Sequence, residues 1–135
     1  MKKFIFILLT AVILVSCQSK PVTGGEVSVA GGSYQSVTPD ELTTMLKNKD
    51  FVFVNVHTPF AGNIAGTDLS IAYDQIEQNL SQLPADKNAR IVLYCRSGHM
   101  SRIAAEKLVS LGFTNIWDLK GGMVDWQQAG YEIQQ

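Results

Sequence analysis

Residues 91–112 read IVLYCRSGHMSRIAAEKLVSLG, and their order decides the architecture. Ile91 to Tyr94 is a short, fully apolar run, as expected of a strand buried on both faces. Ser101 to Leu111 has helical spacing, with Ile103, Ala104, Leu108 and Leu111 predicted to face inward and Gly112 to close the helix. Cys95 to Met100 joins the two as a tight loop, in which Gly98 fits a position needing positive φ. A loop wrapped between a strand and a helix N-terminus can turn several backbone N–H groups toward one point, and the helix adds partial positive charge. A sulfur at that point is stabilised as an anion. Helix N-termini and a neighbouring Arg favour the thiolate, so Cys95 beside Arg96 is expected to be a nucleophile near neutral pH.

The flanking residues supply the rest of the sheet. Upstream, Tyr34 to Val37 is a short strand. Thr38-Pro39-Asp40-Glu41 then starts a helix, with Thr38 as N-cap, Pro39 at the first position and Glu41 completing a capping box. Phe51 to Val56 is a second buried strand. Tyr73 to Leu83, stopped by Pro84, is predicted helical. Downstream, Ile116 to Leu119 is a strand, Gly121-Gly122 a turn, and Met123 to Gln128 a last helix with Met123 and Trp126 one turn apart. Alternating strands and helices predict an α/β domain, a central mainly parallel sheet flanked by helices.

In such sheets ligands bind at the carboxyl ends of the strands. Three strand ends converge there: one at Cys95, one at His57, one leading into Lys120-Gly121-Gly122. The rare residues gather at the same edge. Two of the three Arg, Arg96 and Arg102, and both His, His57 and His99, fall there.

The chain has 135 residues, a formal net charge of -1 and 46% hydrophobic residues. That allows one packed domain and excludes a disordered tail. Without a basic excess, nothing points to nucleic acid. Residues 1–16 read as a signal peptide. Lys2 and Lys3 precede an apolar run, Phe4 to Val15, that is shorter than the roughly 20 residues needed to span a bilayer. Leu14-Val15-Ser16-Cys17 resembles a bacterial lipobox, which implies lipidation of Cys17 and an anchored protein in the cell envelope. Residue 18 is Gln rather than Asp, so the periplasmic face of an outer membrane is the expected destination. Several acyl chains give stable anchoring, since each buried CH2 contributes about 0.8 kcal/mol. Residues 17–32, with Gly24-Gly25 and Gly31-Gly32, read as a flexible tether, and 33–135 as the domain. With Cys17 taken by lipid, Cys95 is left without a disulfide partner. It is either a buried inert residue or a reactive thiol.

Cys95-Arg96-Ser97-Gly98-His99-Met100-Ser101 resembles the active-site loop of rhodaneses, Cys-Arg-x-Gly-x-x and often Ser. Leu111 to Ile116, then Leu119-Lys120-Gly121-Gly122-Met123 with Trp126, resembles the family's second signature. Val54-Asn55-Val56-His57 and Gly62-Asn63-Ile64-Ala65-Gly66-Thr67 resemble its Val-Asp-Val-Arg strand end and its Gly-His-Ile-Pro-Gly-Ala turn. The resemblance implies sulfur transfer without metal or organic cofactor. Cys95 would accept a sulfane sulfur from thiosulfate or a persulfide and pass it to a thiol or cyanide. Arg96, Ser97, Gly98, His99, Met100 and Ser101, with Arg102 and His57 as further candidates, would contact the donor.

The departures are informative. Asn55, His57 and Asn63 stand where the family has Asp, Arg and His, so neutral groups are expected in place of a charged network. Thr58-Pro59-Phe60-Ala61 is shorter than its counterpart and lacks its Glu. His57 is expected to be hydrogen-bonded and structural before it is catalytic. Met100 replaces an Arg or hydroxyl residue and has no strong donor, which disfavours thiosulfate. Arg102 can supply charge to the site or be solvated on the helix. Two other classes fit less well. Cys-dependent phosphatases and arsenate reductases share the fold but carry Arg after five intervening residues, where this chain has Ser101. A non-catalytic interaction module agrees with the altered Asn55, His57 and Met100 but not with an intact Cys95.

Overall fold

A computed structural model describes residue 16 and residues 20–135. The expected signal peptide, except Ser16, and Cys17, the expected lipidation site, lie outside the described residues. Among the described residues no helix is long and apolar enough to cross a membrane.

The elements run β1 (Gly25–Val29), β2 (Gly32–Val37), α1 (Pro39–Lys47), β3 (Val52–Asn55), β4 (Leu69–Ser70), β5 (Ile91–Tyr94), α2 (His99–Ser110), β6 (Ile116–Leu119) and α3 (Gly122–Gln128). They build one six-stranded sheet in the order β1-β2-β6-β5-β3-β4. β1 runs antiparallel to β2, and the other neighbours are parallel. The central strands alternate between two cores, because successive side chains point to opposite faces. Ile91 and Leu93 of β5 pack with Ala104, Ala105, Leu108 and Val109 of α2. Val92 and Tyr94 pack with Leu42 and Met45 of α1 and with Met123 and Trp126 of α3. Both faces are therefore covered, which is why these strands are apolar throughout. The predicted capping box forms: Glu41 N–H donates to Thr38 Oγ1 at 3.3 Å and Thr38 N–H to Glu41 Oε2 at 2.8 Å.

Four expectations need correction. The first is the tether. Gly25–Val29 is a strand of the sheet, because Val27 and Val29 alternate with Glu26 and Ser28 and pack on the α2-side core. Ala30 and Gly31 make the two-residue turn into β2, with Gly31 at φ +88°; the glycine that suggested a linker closes a hairpin. The second is Tyr73 to Leu83, which forms two 3-10 turns, Tyr73–Gln75 and Glu77–Gln82, with Asn79 outside helical geometry (φ -114°, ψ 22°). Tyr73, Ile76, Leu80 and Leu83 still turn toward the core at helical spacing, but the break at Asn79 divides the segment into short turns. Third, α2 starts at His99 rather than Ser101, and Ile103 is 40% exposed rather than inward-facing. Its buried stripe runs through Ser101, Ala104, Ala105, Leu108 and Val109. Last, β3 ends at Asn55 rather than Val56, although Val56 N–H still donates to Tyr94 O at 2.8 Å.

Candidate active site

Cys95 follows β5 directly and belongs to the core on the α2 side, with 1% of its surface exposed. Gly98 caps α2 at φ +93°, a backbone state that favours glycine. That turn brings the Gly98 N–H onto the Cys95 Sγ at 3.0 Å. The Ser101 Oγ lies 3.6 Å from the same sulfur and is fully buried. His99, Met100 and Ser101 form the first turn of α2, where N–H groups lack acceptors within the helix. The sulfur thus sits at the positive end of a 12-residue helix.

The loop is fixed from outside by α3. Met123 N–H donates to Cys95 O and Val124 N–H to Arg96 O, both at 2.9 Å. This contact explains Gly122. Gly122 has φ +59°, and a Cβ there would lie 2.3 Å from Cys95 O. No side chain fits between α3 and the loop.

A cavity of about 360 Å³ opens at Cys95, walled by His57, Arg96, Ser97, His99, Met100 and Val124. Of the residues read from the sequence, these include Arg96, Ser97, His99, Met100 and His57. Gly98 and Ser101 lie behind the sulfur instead. Arg102 lies elsewhere. Its Nε donates to Gly98 O at 3.3 Å, and it lines a separate cleft with Tyr34, Asp118 and Lys120. Val124 was missed, since a valine in a short helix carries no chemical signal. Asp118 was missed too, although a carboxylate inside the buried strand Ile116–Leu119 was signal enough.

His57 is half-buried beside the sulfur. Burial, and then the charge of Arg96, hold its pKa below the ordinary range, so the ring is neutral at pH 7. Its Nδ1 is buried without a hydrogen-bond partner, while its backbone N–H donates to Asn55 Oδ1 at 3.0 Å. The ring is therefore not the hydrogen-bonded structural group expected from the sequence; the backbone of His57 fills that role.

Asn55 organises the neighbouring strand end through neutral groups. Its Nδ2 donates to Gly62 O and to Asn63 Oδ1, both at 2.9 Å. Tyr94 Oη donates to the same Asn63 oxygen at 3.2 Å and accepts from Ile64 N–H at 3.0 Å. A neutral amide network thus ties the ends of β3 and β5 together. Asn55→Ala strands the His57 N–H and the Gly62 carbonyl and leaves the Asn63 oxygen with the Tyr94 hydroxyl alone. The expected cost is about 2–4 kcal/mol, since each unpaired buried group costs about 1–3 kcal/mol and some regain partners. Urea denaturation measures it; a loss below about 0.5 kcal/mol would contradict the network's importance.

Comparison with known proteins agrees with this geometry. Residues 38–129 match the family described as rhodanese-like domain. The chain is similar to a protein of Synechocystis sp., 32% identical over 97 residues, which cover 70% of this chain and 53% of that longer protein. It is similar to a sulfurtransferase of Allochromatium vinosum, 30% identical over 87 residues, covering 63% of this chain and 79% of the relative. Among solved structures, a rhodanese-like domain protein of Staphylococcus aureus superposes with a TM-score of 0.61 at 32% identity, covering 74% of this chain and 98% of that one. With the Cys95 loop seated between a parallel strand and its helix, and with the match spanning most of the folded residues, the chain belongs to the rhodanese-like domain family.

Proposed function

We propose that this domain is a sulfurtransferase or persulfide carrier of the cell envelope, with Cys95 as its nucleophile. The observation that carries the reading is the 3.0 Å hydrogen bond from Gly98 N–H to the Cys95 sulfur, at a helix N-terminus that opens into a cavity. In the first step the Cys95 thiolate attacks the outer sulfur of a donor persulfide, R–S–SH. The donor S–S bond breaks and R–S⁻ leaves, so Cys95 becomes a persulfide. In the second step an acceptor thiolate attacks that outer sulfur, takes it as R′–S–SH, and returns Cys95 as thiolate. First-turn N–H groups of α2 are suited to hold the terminal sulfur.

The cavity supports a donor of low charge. Met100 and Val124 supply apolar wall, and Arg96 is the cation that reaches it. Thiosulfate, a dianion, finds one fixed positive side chain there. The test is intact-mass measurement of the purified domain after exposure to glutathione persulfide or to thiosulfate. A gain of about 32 Da, one sulfur, is expected and should be faster with the persulfide. No gain with any sulfane donor overturns the reading. Met100→Arg should raise the rate with thiosulfate about tenfold, since one charge-assisted hydrogen bond contributes about 1.5 kcal/mol. An unchanged thiosulfate rate in that variant would show that the cavity wall does not select the donor.

Envelope location rests on Lys2, Lys3, the apolar run and Leu14-Val15-Ser16-Cys17. Cys17→Ala should release the protein from the membrane fraction on cell breakage; full retention would argue against a lipid at Cys17.

A further inference from the structure

Behind the Cys95 loop, on the side away from the cavity mouth, lies a carboxyl group that the sulfur chemistry above does not use. Asp118 is in β6, is 3% exposed, and has one oxygen, Oδ1, buried without a hydrogen-bond partner. Between it and the sulfur stands Ser101, also fully buried. The Cys95 thiol donates to Ser101 Oγ, and once Cys95 is a thiolate that hydroxyl is within reach of three acceptors. It donates to Gly98 O at 3.3 Å, lies 3.6 Å from Cys95 Sγ, and faces the Asp118 carboxyl closely enough to ease its burial. A hydroxyl has one hydrogen to give and two lone pairs to accept with. Those three groups therefore compete for one hydrogen bond.

We propose that Asp118 is a positioning residue for Cys95, acting through the Ser101 hydroxyl, so that the protonation state of the carboxyl sets whether that hydroxyl donates to the sulfur. The inference rests on the reading of Cys95 as a reactive thiol. With Asp118 protonated, its O–H donates to Ser101 Oγ, and the Ser101 O–H is free to donate to the Cys95 thiolate. With Asp118 ionised, the carboxylate takes the Ser101 O–H, and the thiolate loses that donor and gains a negative charge nearby. No atom is transferred; one proton enters or leaves Asp118 from solvent through the adjoining cleft of about 730 Å³.

The surroundings place the switch in a useful range. Burial pushes the Asp118 pKa up to about 7, against the lowering effects of Ser101 and the Arg102 charge. Arg102 faces it from α2 and Tyr34 from β2, and the Tyr34 phenol is itself held above its ordinary range by burial and by Asp118. Glu26 of β1, Glu41 of α1 and Lys120 line the same cleft farther out. The sign follows directly. Below about pH 7 the neutral carboxyl supports the thiolate. Above it the carboxylate opposes further gain in reactivity.

The experiment is the rate of Cys95 alkylation by iodoacetamide as a function of pH, which requires no sulfur donor. In the full chain, wild-type protein should show a shallow rise with an extra inflection near about pH 7, the Asp118 range. Asp118→Asn cannot ionise, so the inflection should vanish and the rate above pH 7 should be several-fold higher. Ser101→Ala keeps the carboxyl but removes the relay, so its inflection should also be lost or much reduced; it serves as the second test where Asp118→Asn folds poorly. An Asp118→Asn or Ser101→Ala profile that superposes on wild type overturns the inference while leaving Cys95 reactive. A wild-type Cys95 that is alkylated at no pH between about 5 and 9 overturns the reactive-thiol reading itself.

Discussion

Cys95→Ser is expected to abolish sulfur uptake altogether, leaving no mass gain with glutathione persulfide or thiosulfate and turnover at the uncatalysed level. The variant should fold normally. Serine is smaller than cysteine and can take the Gly98 N–H that now rests on the sulfur at 3.0 Å. What it cannot do is form a thiolate. An alcohol stays protonated at this helix end, and an oxygen does not exchange into an S–S bond as a thiolate does. Losing the nucleophile of a two-step covalent scheme removes both steps at once, a loss on the order of 10³-fold or more. Circular dichroism and intact mass on the same sample separate misfolding from lost chemistry. Sulfur uptake that survives in folded Cys95→Ser would move the nucleophile elsewhere and remove the central claim.

Gly122→Ala is expected to be the most damaging change that leaves every chemical group in place. The new Cβ would lie 2.3 Å from Cys95 O and 2.8 Å from Arg96 O, and both are backbone atoms that cannot swing aside. The left-handed backbone of Gly122, φ +59°, adds about 1–2 kcal/mol for any residue with a Cβ. Relief requires α3 to back away, which breaks the bonds from Met123 N–H and Val124 N–H that hold the loop. Together these give a stability loss of about 3 kcal/mol or more. Activity should fall further than stability explains, because the loop carbonyls lose their anchor. Gly112→Ala is the control. Gly112 has φ +91° but no atom within 4 Å of its would-be Cβ, so only the backbone strain applies, about 1–2 kcal/mol. Equal losses in the two variants, measured by denaturant titration, would show that crowding at Gly122 is unimportant.

The legible parts of the sequence were those where one chemical constraint acts locally. The strand–loop–helix around Cys95 could be read because four apolar residues, a Cys, a Gly and a helical stripe follow in order. The capping box at Thr38 and Glu41 needs only its own turn. Illegible parts were decided at a distance. Val27 and Val29 form a strand because β2 offers a free edge, and nothing within residues 25–29 announces that edge. Tyr73 to Leu83 carries helix formers and a core-facing row at helical spacing, yet the backbone breaks at Asn79 and leaves only 3-10 turns. Arg102 was grouped with the cavity by its nearness to Cys95 in sequence, yet the turn of α2 carries it to the far side of the loop. The same turn carries Ser101 toward Asp118, a relation between α2 and β6 that spacing along the chain does not reveal.

The β1–β2 hairpin has a consequence for reach. The sheet begins at Gly25, so under the proposed lipidation only residues 18–24 would separate Cys17 from it. Stretched fully, that span covers less than about 30 Å, close to the diameter of the domain itself. Under the proposed lipid anchor, a domain on so short a leash would not sample the compartment; it would patrol a thin layer above the lipid surface. Its effective concentration toward other surface-bound molecules would then be high, and toward distant ones close to nil. With the proposed anchor and the proposed sulfur transfer together, delivery would be a local exchange along the membrane, between carriers that share its plane.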